Sequence, residues 1–393
     1  MVQLNTLLTG LAGLASVVSA HPGHDIRAEA AERAAFMKRA PRSLSDCSAK
    51  LKARGLEKQS IARRENAVNA IRQKRGLQTH APLLKARDLD TILNTTHHSS
   101  LNVSPETDPN VLFASNATCV LGPDVTQGPY YVTGELIRND ITETQEGVPL
   151  YLDIQLIDTS TCEPVPEIYI DIWHCNATGV YSGVAASGNG DSSDTSNLDA
   201  TFLRGIQQTD SDGVVQFNSI FPGHYTSRAT HIHVLSHSPN ETTALPNNTI
   251  SGLYTSHANY VGQLFFDQDL ITKVEATSPY STNTQELTEN ADDSILSEEA
   301  DTIDPFVEYV LLGDDVSDGV FGWISLGIDV SENSEITPAA EYTADGGVEN
   351  DSSSSGMGGG GGSAPSGGSA PSGGSAPSGG SAPSGGAAPS ASA

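Results

Sequence analysis

The sequence predicts a mainly β protein: an antiparallel β-sandwich with long loops, preceded by a helical N-terminal segment and followed by a disordered tail. Three observations carry that expectation. From Cys119 to Val330, short runs alternate apolar and polar residues between turn residues, as half-buried strands do. Residues 25–76 are rich in Ala, Glu, Arg, Lys and Leu at helical spacing. Beyond Gly346 the chain becomes Gly/Ser-rich and then repeats Ser-Ala-Pro-Ser-Gly-Gly, a composition that cannot bury a core.

Taken in order, residues 1–20 read as a secretory signal peptide, with an apolar run from Leu4 to Val18 and small residues to Ala20 before His21. Residues 21–76 form a basic helical pro-region or arm, in two helices broken at Pro41. Dibasic pairs at Lys38-Arg39, Arg63-Arg64 and Lys74-Arg75 offer processing sites, and a basic amphipathic helix ordinarily presents a solvated face. Residues 77–118 are polar and rich in Asn-x-Ser/Thr sites, as a linker would be. The β domain spans 119–345, and 346–393 is the low-complexity tail.

Strands are expected at Pro149–Asp158, Glu167–Trp173, Thr201–Gly205, Val214–Phe217, Ile232–Leu235, Tyr309–Leu312 and Gly322–Val330, with an apolar island at Gly262–Phe266. No run after the signal is long and apolar enough to cross a bilayer, and the tail ends without a hydrophobic stretch for a lipid anchor. The mature chain is therefore expected to be secreted and soluble, with no membrane partner.

Four cysteines, Cys47, Cys119, Cys162 and Cys175, suit two disulfides in an exported chain, with three pairings open. Glycosylation sequons at Asn94, Asn102, Asn116, Asn176, Asn240, Asn247 and Asn350 agree with a eukaryotic secretory route. The net charge of −28 is unevenly placed: residues 1–88 carry 16 Lys/Arg against 7 Asp/Glu, and the remainder 4 against 41. So acidic a body excludes nucleic acid as a partner. It also makes Arg228 one of only four basic residues beyond position 88, with Arg138, Arg204 and Lys273.

Chemistry concentrates in Phe221 to Val234, where Tyr225 and Arg228 precede His231 and His233. Residues two apart on a strand share one face, so the two imidazoles can address one point and hold a metal. Two further stretches belong with it. Asp171-Ile-Trp-His-Cys-Asn-Ala-Thr-Gly-Val-Tyr-Ser182 is a strand end turning into a loop that carries Tyr181, and Gln127-Gly-Pro-Tyr-Tyr-Val132 is an aromatic Gly-Pro turn.

A lone His-x-His pair is more often two satisfied histidines, and a lone tyrosine more often a corner residue of a sandwich. Four such residues in this order, with Arg228, reverse that weighting. His174, His224 and His237 read as structural.

Over about residues 119–330 these three motifs resemble the intradiol ring-cleavage dioxygenases, in a secreted fungal-type branch. The resemblance implies Fe(III) held by Tyr181, Tyr225, His231 and His233, two phenolates and two neutral imidazoles that favour a hard ferric ion. It implies Arg228 as the group that offsets negative charge on the substrate, Tyr225 as a catalytic ligand that leaves when substrate binds, and Gln263 as a supporting catalytic residue. Gln263 lies farther from the His-x-His pair than the family usually places it.

Thr126, Pro129 and Tyr130 fall at substrate-pocket positions. The implied partners are a small aromatic diol and O2, with cis,cis-muconate-type diacids as products, and a homodimer through the helical segment. The competing reading is a non-catalytic secreted β-sandwich that binds cell-wall glycans or phenolics.

Overall fold

The structure, a computed structural model, describes residues 44–79, 118–120 and 127–350, apart from 187, 191, 192 and 301–303. The signal segment, Pro41, most of the expected linker, Thr126 and the tail from 351 lie outside the described residues.

Two sheets enclose the main core. The first has strand order β1 (Thr118–Val120), β9 (Val320–Ile328), β2 (Pro149–Asp158), β5 (Val214–Ile220), and β8 (Glu308–Leu311) also pairs with β9. The second has order β7 (Tyr260–Phe265), β6 (His231–His237), β3 (Tyr169–Trp173), β4 (Arg204–Gln208), antiparallel throughout. The mainly β sandwich is as expected, but its first sheet is mixed. β9 runs antiparallel to β8, which reaches it through a hairpin, but parallel to β2 and to β1, to which no short connection links it.

Alternation assigns the faces. On β2, Leu150, Leu152, Ile154 and Leu156 point inward, where they meet Ile170 and Ile172 of β3, Ile232 and Val234 of β6, and Leu264 of β7 in one buried cluster. The sequence pattern on β3 and β6 led us to expect a wet second face. Instead all five residues of β3 and all seven of β6 are buried, because loops cover the outer face of the second sheet. That covered face carries Trp173, His231 and His233.

The N-terminal segment covers the opposite outer face. Helices α1 (Ser48–Arg54) and α2 (Leu56–Arg75) break at Gly55, which adopts φ +76 and caps α1. Ile61 and Val68 of α2 pack with Phe321 and Trp323 of β9. The expected solvated basic face is overturned: Arg64 and Arg72 are buried, Arg64 lies over the Trp323 ring, and Arg72 Nε donates to Leu312 O at 2.7 Å. Arg63 grips Asp153 through two 2.9 Å bonds.

Cys47 pairs with Cys162, closing 115 residues, a constraint of about 4–5 kcal/mol on the unfolded chain by loop entropy. The expected second disulfide is absent among the described residues. Cys175 is a buried free thiol whose Sγ donates to Gly223 O at 3.2 Å.

Boundary shifts are small. β4 starts at Arg204 rather than Thr201, and a hairpin of Ala340–Thr343 with Gly346–Glu349 carries ordered β structure past residue 345. No helix among the described residues is long and apolar enough to cross a membrane.

Candidate metal centre

Register places the site. His233 on β6 faces Trp173 on one side and Gln263 on the other, and Trp173 faces Arg204, so one row crosses all four strands of the second sheet. The thirty residues between His233 and Gln263 are taken up by an excursion containing the Thr242–Ala244/Ile250–Gly252 hairpin, after which β7 returns beside β6. Gln263 is thus brought back to the histidine despite its sequence distance.

The Trp173 indole stacks on the His233 ring, centroids 4.7 Å apart and 2° from parallel. Gly128 lies at the Cε1 edge of the same ring. A Cβ on Gly128 would stand 3.0 Å from His233 Cε1, and its φ of +73 disfavours other residues.

Four donors converge. His231 Nε2 lies 3.0 Å from His233 Nε2, 3.4 Å from Tyr225 Oη and 3.5 Å from Tyr181 Oη. His231 Nδ1 donates to Ala229 O at 2.6 Å, which leaves Nε2 with its lone pair directed at the other three. Burial and the nearby Arg228 push the His231 pKa down to about 3, so the ring is neutral.

Burial raises both phenols, Tyr181 well above 10 and Tyr225 to about 12, so without a cation both stay protonated. Among the described residues, no group of three or more His, Cys, Asp or Glu is placed to hold a metal. The histidine pair becomes a four-donor set only through the tyrosines. Metal–ligand bonds of about 2.1 Å opening at roughly right to tetrahedral angles put donor atoms ~3.0–3.4 Å apart, close to the spacing here. This donor chemistry fits a hard ferric ion.

Tyr181 is fully buried and fixed at its backbone: Asn189 Oδ1 accepts from its N–H at 2.7 Å, and its carbonyl accepts from Asn189 Nδ2 at 2.8 Å and Asn197 Nδ2 at 2.7 Å. Tyr225 is only partly buried. Ser227, at φ 75, turns the chain so that Tyr225 and Arg228 pair as an isolated bridge. Tyr130 tilts over Tyr181 at 4.7 Å between centroids and meets Tyr225 at 6.1 Å, so it forms one wall of the site. Pro129, beside it, is exposed.

Arg228 is buried against the phenols and doubly anchored. Its Nε donates to Asp293 Oδ2 at 2.9 Å, and its Nη2 donates to Gln263 Oε1 at 2.5 Å. Burial disfavours its charge, but Tyr225 and Asp293 outweigh that and hold its pKa above the ordinary value.

Sequence reasoning missed Asp293. Its carboxylate also accepts from Ala229 N and caps α3 (Ser294–Ala300) through Ile295 N and Leu296 N. The Asp-Ser pair ahead of an apolar run is a helix-start signal that could have found the cap, though not its tie to Arg228. Asn189 and Asn197 were missed too, and only the Gly188-Asn189-Gly190 turn hinted at a fixed loop.

The remaining histidines are structural, as expected. His174 bonds Cys175 O and Ser219 Oγ, His224 donates to Glu275 and to Gln285 O, and His237 donates to His257 O.

Residues 122–301 match a family model described as dioxygenase.

Among solved structures, the chain is similar to an intradiol ring-cleavage dioxygenase from Tetranychus urticae, at 27% identity, 55% of this chain, 98% of that chain and a TM-score of 0.44. It is also similar to the dioxygenase domain of a dioxygenase carbohydrate-binding fusion from Streptomyces sp. SirexAA-E, at 21% identity, 53% and 98% coverage and a TM-score of 0.32. Catechol 1,2-dioxygenase from Pseudomonas arvilla C-1 matches at 16% identity, 53% and 60% coverage and a TM-score of 0.28. No curated protein matches the chain.

Proposed function

We propose that this chain is an extracellular Fe(III) intradiol dioxygenase that cleaves small catechol-type diols with O2 to cis,cis-muconate-type diacids. One observation carries the reading: three donors, Tyr181, Tyr225 and His233, gather within 3.0–3.5 Å of the bare Nε2 of a fourth, His231, in a buried site. Ferric iron, when bound, supplies the positive charge that ionises both phenols and the Lewis acidity that activates a chelated diol towards O2.

The protein's own groups divide the remaining work. Tyr181, gripped at its backbone, is the permanent ligand. Tyr225, a partly buried residue on a turn, would be the ligand that gives way and whose Oη would take a proton from the incoming diol. Arg228, fixed by Asp293 and Gln263, offsets negative charge that develops on the substrate in a water-poor site. Gln263 acts through that guanidinium, and Tyr130 forms the wall against which the ring lies. Secretion is supported by the apolar leader, the Cys47–Cys162 bond and the exposed sequons at Asn240 and Asn247. The packing of residues 44–76 on the first sheet supports a retained arm.

The test is iron-reconstituted protein examined by metal analysis, visible spectroscopy and oxygen uptake with catechol, protocatechuate and hydroxyquinol. A tyrosinate-to-iron band, diminished in Tyr225→Phe, together with uptake of one O2 per diol is expected. Protein that binds iron without the band or consumes no oxygen would sink the proposal.

A further inference from the structure

Arg204 is 1% exposed, and nothing in the chemistry above uses it. It closes the cross-strand row that begins with Gln263 and passes through His233 and Trp173. Its donors are spent on backbone. Nη2 donates to Tyr130 O at 2.7 Å and to Ser182 O at 2.7 Å, while Nε donates to Ser182 O and to Ser182 Oγ, both at 3.0 Å. Ser182 follows Tyr181, and the Tyr130 ring lies on the Tyr181 ring. A single guanidinium therefore ties the backbone behind the substrate wall to the backbone behind an iron ligand.

Burying such a charge costs several kcal/mol unless it is matched. Glu135, also buried, pairs with Arg204 Nη1 at 3.2 Å. Asp171 lies one row away on the same sheet face, with both oxygens lacking a hydrogen-bond donor, as does Glu135 Oε2. Burial and the neighbouring Asp171 push the Glu135 carboxyl well above the ordinary carboxylate range, against the pull of Arg204. Arg204, Glu135 and Asp171 are all buried, and a guanidinium bonded to Tyr130 O, Ser182 and Glu135 in so closed a cluster has no room to move.

We propose that Arg204 is a positioning residue of the metal site, holding the Tyr130 wall at a set distance from the Tyr181 ligand. The inference rests on the dioxygenase reading. Tyr181 keeps its place through Asn189 and Asn197 whether or not Arg204 is present, so the part released by losing Arg204 is Tyr130. A lysine cannot reproduce the fork, because its single ammonium cannot span two carbonyls and a carboxylate in one plane. Substrate binding should suffer more than metal binding or chemistry.

The experiment compares iron-loaded wild type and Arg204→Lys, using anaerobic titration of the charge-transfer band with catechol and steady-state kinetics. The variant is expected to keep its iron and its band, to bind catechol roughly ten-fold more weakly and to show a matching rise in KM, with kcat within about three-fold of wild type. A folded, iron-loaded variant with catechol affinity within about two-fold of wild type overturns the inference, since a lost charge-assisted bond should cost more. If Arg204→Lys does not fold, Arg204→Gln, whose one amide group can reach Tyr130 O or Ser182 O but not both, carries the test. An unchanged catechol affinity there overturns it equally. Wild type lacking band and oxygen uptake would instead sink the dioxygenase reading itself.

Discussion

Replacing Asp293 with asparagine removes one negative charge and leaves the size of the side chain almost unchanged. In the native protein two carboxylate oxygens serve four donors: Arg228 Nε at 2.9 Å, Ala229 N at 2.6 Å, Ile295 N at 2.8 Å and Leu296 N at 2.9 Å. An amide has one acceptor. If it faces the helix, Arg228 and Ala229 confront an NH2 group; if it faces Arg228, the cap of α3 is lost.

Removing one partner of a buried ion pair costs about 3–5 kcal/mol, and because the amide retains some of the contacts we take the lower end, about 3 kcal/mol. For a domain of this size that corresponds to a fall in Tm of about 6–12 °C. Arg228 stays tethered by Gln263 but loses its counter-charge, so kcat/KM should fall by roughly ten-fold or more through loss of transition-state stabilisation. Thermal unfolding followed by circular dichroism, with oxygen uptake on the same samples, measures both. An Asp293→Asn protein melting within about 2 °C of wild type would show that Asp293 does not carry the site.

Two further outcomes follow from the geometry. Gly128→Ala places a methyl 3.0 Å from His233 Cε1 on a backbone with φ +73, so iron content after reconstitution should drop while unfolding in urea shows a loss of only about 1–2 kcal/mol; full iron loading would contradict the close approach. Burial alone would raise Asp153, but Arg63 and Arg64 hold its carboxyl below its ordinary 3.8, so its stabilisation is present above that pH and lost as pH falls through the lower folded-state value. In Asp153→Asn the acid limb of a stability-against-pH curve should flatten below about pH 4. A limb as steep as wild type would locate the acid sensitivity elsewhere.

Much of the site was legible in the sequence because its donors come from strands and strand ends. His231 and His233 share a face by the two-residue period of β6, and Tyr225 and Arg228 lie only a turn away, so local spacing already joins them. Tyr181 was added by the resemblance of the Trp173 loop to a family motif, since its approach to His231 depends on the pairing of β3 with β6. Gln263 was visible as a candidate, but its contact with Arg228 depends on how far the 238–259 excursion travels before β7 pairs with β6, and register is not written in composition. Asp293 and Arg204 are farther still from what a one-dimensional pattern can express. An aspartate at a helix start and a lone arginine in an acidic chain each have many uses, and only packing shows which donors they meet.

The sequence by itself determined the mainly β architecture and the placing of His231 and His233 on one face, because alternation and short-range spacing act within single strands. Tertiary structure alone decided three things: the parallel insertion of β9, the closing of Cys47 on Cys162 while Cys175 stays a thiol, and the anchoring of Arg228 and Tyr130 from behind. These depend on contacts between segments tens to hundreds of residues apart, where the free energy of burial and charge pairing selects one arrangement from many that local preference would allow.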